Sequence, residues 1–129
     1  MNLMPLIDRL ESEGVGTPAK TLFVNMLPAE ATKAILLRNK LAGTPINHEI
    51  PGYFNKVPFQ VIARARHDQE GEDLINAATK ALTLSEVQLG NMWIKYMRPK
   101  TLPVIFPLSK GNLLEFNVEF ECCFCLENA

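Results

Sequence analysis

The chain is poor in the residues that carry most recognisable chemistry. Its 129 residues include three cysteines and two histidines. The cysteines fall together at Cys122, Cys123 and Cys125. Structural zinc sites need spaced ligand pairs or added histidines, and successive residues of a strand point to opposite faces, so Cys122 and Cys123 are not expected to clamp one ion. An odd, single cluster also argues against a disulfide framework and for a reducing cytoplasm as the place of folding. His48 and His67 stand in no nucleophile–base signature, and no serine occupies a nucleophile elbow. Gly14-Val15-Gly16 lacks the helix start and Lys-Ser/Thr of a phosphate loop. These absences predict a protein with no catalytic, cofactor or metal site. Charge of one sign is lacking too. Lys plus Arg number 13 and Asp plus Glu 14, a formal net charge of -1, so no global basic field points to wrapping of nucleic acid. Apolar runs long enough to span a bilayer are missing, which predicts no membrane segment. The N-terminal MNLMPLIDRLESEG carries early acidic residues and reads as no secretory signal.

What is present is a single domain's worth of patterned apolar residues, expected to fold as one unit over 1–129. Apolar residues make up 47% and charged residues 21%, ordinary for a folded chain. A chain of this length buries roughly two thirds of its unfolded surface and needs no metal or disulfide to hold a core. Leu3, Leu6, Ile7 and Leu10 recur at helical spacing, with Asn2 as a cap, Pro5 in the first turn, and Gly14 and Gly16 as the stop. Thr21 to Met26 and Ala34 to Arg38 read as short strands. Asn39 to Lys56 is a long connection. Its Ile46, Ile50, Tyr53 and Phe54 are too apolar for a free linker, so it either docks on another molecule or folds back on its own subunit.

Val57 to Arg66 alternates: Val57, Phe59, Val61, Ala63 and Ala65 on one face, Pro58, Gln60, Ile62, Arg64 and Arg66 on the other. An amphipathic helix follows to Leu82, with Asp68 as its expected N-cap. Glu70, Glu72 and Asp73 sit early and Lys80 late, complementing the helix dipole. Its expected buried stripe is Leu74, Ile75, Ala78, Ala81 and Leu82. Asn91 to Arg98, Val104 to Pro107 and Leu113 to Phe124 read as further strands, with a turn at Ser109 to Asn112. The last has the clearest alternation, Leu114, Phe116, Val118, Phe120, Cys122 and Phe124 inward against Glu115, Asn117, Glu119, Glu121 and Cys123 outward. Slipping it by one residue would bury its glutamates. The pattern predicts an α+β fold: a mixed, mainly antiparallel sheet with an N-terminal and a central helix on one face.

Arg64, Arg66, Lys95, Arg98 and Lys100 form a basic patch if their strands are neighbours, or pair with Glu115, Glu119 and Glu121 across the sheet, which is the expected outcome for a near-neutral chain. The strand Asn91 to Arg98 is apolar on both sides, Trp93 and Met97 flanking Lys95 on one, Met92, Ile94 and Tyr96 on the other. Such a strand is either covered on both faces within the subunit or part of an interface.

The segments LIDRLESEGVGT, GTPINHEIPGYFNKVPFQVIARARHDQEGEDLINAATKAL and LLEFNVEFEC together resemble the tail-terminator and minor capsid (tail-completion) proteins of tailed bacteriophages, over nearly the whole chain. The resemblance rests on packing patterns and carries no catalytic residues. It implies a virion protein of the tail or neck, assembled in the host cytoplasm. Such a subunit joins a ring, typically a hexamer of itself, at the head-proximal end of the tail tube. Its implied partners are the major tail tube protein, a head-completion or neck protein, and genomic DNA passing through the lumen without sequence-specific contacts. A neck adaptor, or a free-standing ligand-binding or regulatory module, is the alternative. On the reading that the resemblance implies, the expected subunit-interface residues are Tyr53, Phe54 and Trp93, with Arg64 and Arg66.

Overall fold

In the computed structural model, residues 1–39, 49–107 and 113–126 are described. Helix α1 (Met4–Ser12) opens the chain. Asn2 Oδ1 accepts the Met4 amide at 3.1 Å, and Gly14 takes φ +75°, the left-handed conformation that ends a helix at little cost in glycine. Strands β1 (Leu22–Val24), β2 (Ala34–Asn39) and β3 (Phe54–Ala65) follow, then helix α2 (Asp68–Leu82). Strands β4 (Leu84–Leu89), β5 (Met92–Pro99), β6 (Val104–Pro107) and β7 (Leu114–Leu126) complete the order.

The strands form one sheet in the order β1-β2-β3-β7-β5-β4, with β6 also on β7. Only β1 and β2 run parallel; the other pairings are antiparallel. The fold is therefore α+β with a mainly antiparallel sheet. Strand β7 is its centre. One edge of β7 pairs with β3 from Phe124 down to Leu114. The other edge is shared: β5 takes Phe120 to Leu126 and β6 takes Leu114 to Asn117, so β6 continues the line of β5 after a short break. The break is held by the Lys100 amide on the Glu119 carbonyl at 2.7 Å.

The core joins Leu6, Ile7 and Leu10 of α1, Ile75, Ala78 and Leu82 of α2, Phe59, Val61 and Ala63 of β3, and Phe116, Val118, Phe120 and Cys122 of β7. Phe59 and Phe120 stand opposite in the register and stack at 5.2 Å between ring centroids. Gly71 is buried in α2, and a Cβ there would collide with the Phe116 ring, so only glycine lets the helix approach β7 this closely. The expected helical stripe omits Gly71 because a glycine carries no hydropathy signal. Leu74, placed in that stripe, is only partly buried.

Several expectations change. The first strand is shorter than Thr21 to Met26, because Asn25 turns to φ +60° and leaves Met26 78% exposed. His67, extended at φ -129°, occupies the N-cap, and Asp68 is the first helical residue; Asp68 and Glu70 still place negative charge in the first turn. Strand β4 is absent from the sequence reading. Glu86, at φ +52°, interrupts its alternation. Strand β5 carries one extra residue between Ile94 and Tyr96 relative to β7. The bulge moves Met97 into the core with Met92 and Ile94 and puts Tyr96 on the opposite face, beside Cys123. The first residues of β3 lie upstream of Val57, with a second bulge between Phe54 and Val57, and Arg66 lies beyond its end. The Ser109 to Asn112 turn, Ile46 and His48 lie outside the described residues.

Candidate assembly surfaces

The sequence-predicted contact residues do not form one patch. Asn55, 3% exposed, organises the end of the sheet where β3 begins. Its side-chain amide donates to the Ile50 and Tyr53 carbonyls, both at 3.0 Å, and its Oδ1 accepts the Cys123 thiol at 3.4 Å. This pins the chain before β3 onto the face of β7 opposite the core. Cys123, expected to face outward into solvent, is fully buried there, and Glu121 is 9% exposed. Tyr53 lies against Lys95, whose ammonium is 5.6 Å from the ring centroid. Phe54 pairs with Phe124, stacks on it at 5.2 Å, and keeps 39% of its surface exposed. Trp93 stands opposite Cys125 at the same end and is half-buried.

Charge on the outer face is paired in part: Arg64 with Glu115 and Arg98 with Glu121, whereas the expected cross-sheet pairing of Arg66, Lys95, Lys100 and Glu119 does not form among the described residues. Arg64 donates from Nη2 and Nε to Glu115 Oε2 at 3.0 and 3.2 Å, and from Nη1 to the Pro28 and Ala31 carbonyls, both at 3.2 Å. It ties the loop before β2 to the sheet. Arg98 reaches Glu121 at 3.1 Å and covers the Tyr96 ring at 4.3 Å. Burial, followed by the nearby Glu121 carboxylate, raises the Tyr96 phenol above its usual range. Arg66 is exposed and apart from Arg64's network.

The cysteines separate as the strand period requires. Cys122 sits in the core, where burial pushes its thiol up to about 12. Burial also raises Cys123 on the other face. Among the described residues no group of His, Cys, Asp and Glu is arranged to hold a metal. Purified protein is expected to carry no stoichiometric zinc, and native labelling with iodoacetamide should modify Cys125 before Cys122 or Cys123. Cys123→Ser should fold, since a hydroxyl also donates to Asn55. One zinc per chain by elemental analysis, or fast modification of Cys122, would contradict this assignment.

A second surface was not marked as functional by the sequence reading. Strand β6 has β7 on one side and no strand partner on the other among the described residues. Its Val104, Ile105 and Phe106 are 49%, 52% and 49% exposed, and Leu102 just before it is 86% exposed. Pro103 and Pro107 bracket this short window. Beside it a groove of about 460 Å³ is lined by Ile75, Pro103, Ile105 and Phe116, with Asp68 and Glu72 among its polar residues. The sheet's other edges are defended. At β1, the Pro18–Leu22 bridge is closed by the Leu22 amide on the Thr17 carbonyl at 3.0 Å and the Ala19 amide on the Leu22 carbonyl at 2.9 Å. At β4, exposed Glu86 breaks the strand. Strand β6 carries no charge, and its short length, with Pro103 and Pro107, is what limits pairing along it. The available signal was the run Leu102 to Pro107, apolar at every position, with no polar face for solvent.

The family model described as bacteriophage tail terminator protein matches residues 9–124. No curated protein matches the sequence. Among solved structures, a chain of the virion of a native gene transfer agent particle has a similar fold, with a TM-score of 0.63 at 10% identity over 92% of this chain and 90% of that one.

Proposed function

The chain belongs to the bacteriophage tail terminator family, structural proteins of the virion tail, and from this premise we propose that its copies form a closed ring that caps the tail tube at its head-proximal end. The observation that carries the reading is the exposed apolar strand β6, with Leu102 before it 86% exposed. A small soluble subunit gains by burying such an edge permanently, and a heterologous contact repeated around an axis buries it in every copy. The ring, taken as a hexamer, ends tube polymerisation and presents its far side to a head-completion or neck protein. Tyr53, Phe54 and Trp93, gathered at one end of the sheet, contact the tube protein or an adjoining subunit, with exposed Arg66 available to a partner carboxylate. DNA passes through the lumen without sequence-specific contacts, which suits an outer face on which Arg64 and Arg98 are held by Glu115 and Glu121. The role is positional and involves no catalysis.

Deletion of the gene should give particles with over-long tails and heads that lack tails, seen by negative-stain microscopy. Tails of normal length, free but unattached to heads, would instead assign the protein to the neck.

A further inference from the structure

We infer that neighbouring copies meet head to tail, the β6 end of one sheet against the β1 end of the next, with Leu102 against Met26 and the acidic start of α2 against Lys20. This rests on the ring reading and specifies its lateral contact. Among the described residues, the two most exposed large apolar side chains are Leu102 at 86% and Met26 at 78%. They lie at opposite ends of the same sheet, Met26 just past the end of β1 and Leu102 just before β6. The register forms a row Leu22–Ile35–Ala63–Phe116–Ile105 across five strands. Strands β1 and β6 run in opposite directions relative to this row, since β1 is parallel to β2 and each later step to β6 is antiparallel. Val24, after Leu22 and at the end of β1 that leads to Met26, and Leu102, before Ile105, are therefore displaced from the row the same way. Lys20, before Leu22, is displaced the other way. So is the row Ala65–Leu114–Pro107, from which the chain passes at once into Asp68 and α2. Two copies set side by side with sheets level bring apolar to apolar and Lys20 to Asp68 and Glu72, all three exposed.

The β1 ladder is already closed at Leu22 by residues 17–19, so that end offers side chains and not backbone. The groove between α2 and β6 suits such an insertion. Its floor of Ile75, Ile105 and Phe116 is apolar and its rim carries Asp68 and Glu72. A contact of β6 with a second β6 would close after two copies, leave Met26 in water, and build no ring.

Cross-linking in assembled particles tests this. Met26→Cys and Leu102→Cys, both at exposed positions, are introduced together in a Cys125→Ser background that removes the accessible native thiol, and particles are treated with a short bismaleimide. Denaturing gels should show a ladder of covalent oligomers rising to the full ring, absent from wild-type particles and from either single variant. Dimers from Leu102→Cys alone would mean that β6 meets β6, and overturn the inference. Particles that contain the chain but give no ladder would overturn it while leaving the tail assignment standing. Absence of the chain from infectious wild-type particles would defeat the tail assignment itself, and this contact with it.

Discussion

Phe120→Ala is expected to destabilise the subunit by about 3–5 kcal/mol in a urea melt. Phe120 has no exposed surface and stacks on Phe59 across the β3–β7 pair, at the centre of the cluster that binds both helices to the sheet. Removing the ring leaves a cavity bounded by residues fixed in two strands, and such sites collapse poorly. Total stabilities of small domains are about 5–15 kcal/mol, so the variant should be partly unfolded at moderate temperature. Glu119, the preceding residue on the opposite face, is the control: Glu119→Ala should change stability by less than about 0.5 kcal/mol. A loss below about 1 kcal/mol for Phe120→Ala would mean that the strand or its inward face is wrongly assigned.

The second large effect is expected on assembly and not on folding. Tyr53→Ser combined with Phe54→Ser should leave a cooperatively folding subunit, because Asn55 still holds the carbonyls of Ile50 and residue 53, and Phe54 already keeps 39% of its surface in solvent. The stack of Phe54 on Phe124 is lost, which costs about 1 kcal/mol. Aromatic anchors at interfaces commonly contribute about 2 kcal/mol or more each, and a ring repeats the loss at every identical contact. Phage carrying the double variant should produce over-long tails and tail-less heads, while circular dichroism shows a folded protein. Normal tails and normal infectivity would remove Tyr53 and Phe54 from the proposed contacts. A failure of the cross-linking ladder at Met26 and Leu102 would be a separate result, since those residues lie at the lateral edges of the sheet.

Much of the architecture was legible because it is periodic. Strand β7 alternates over a dozen residues, and its register with β3 places Arg64 opposite Glu115, the pairing that charge balance predicts. Helix α2 announces itself by acidic residues at its start and a spaced apolar stripe. Where the period breaks, the reading failed. Glu86 at φ +52° hid β4, and the extra residue between Ile94 and Tyr96 exchanged the faces of Tyr96 and Met97. Bulges cost little locally and reverse every inward assignment beyond them. The contact residues show the same limit. Tyr53 and Phe54 were identified from size and apolarity in a long loop, but Arg64 proved to be held within its own subunit.

The class of fold and the inward faces of β3 and β7 follow from residue type and short-range period alone. Which edge of the sheet lacks a further strand among the described residues depends instead on long-range strand placement. Val104, Ile105 and Phe106 read like any buried strand; they are exposed because β5 and β6 share one edge of β7 and β4 extends only along β5. Exposure of a strand depends on whether a distant segment arrives beside it, and no local pattern in the strand encodes that arrival.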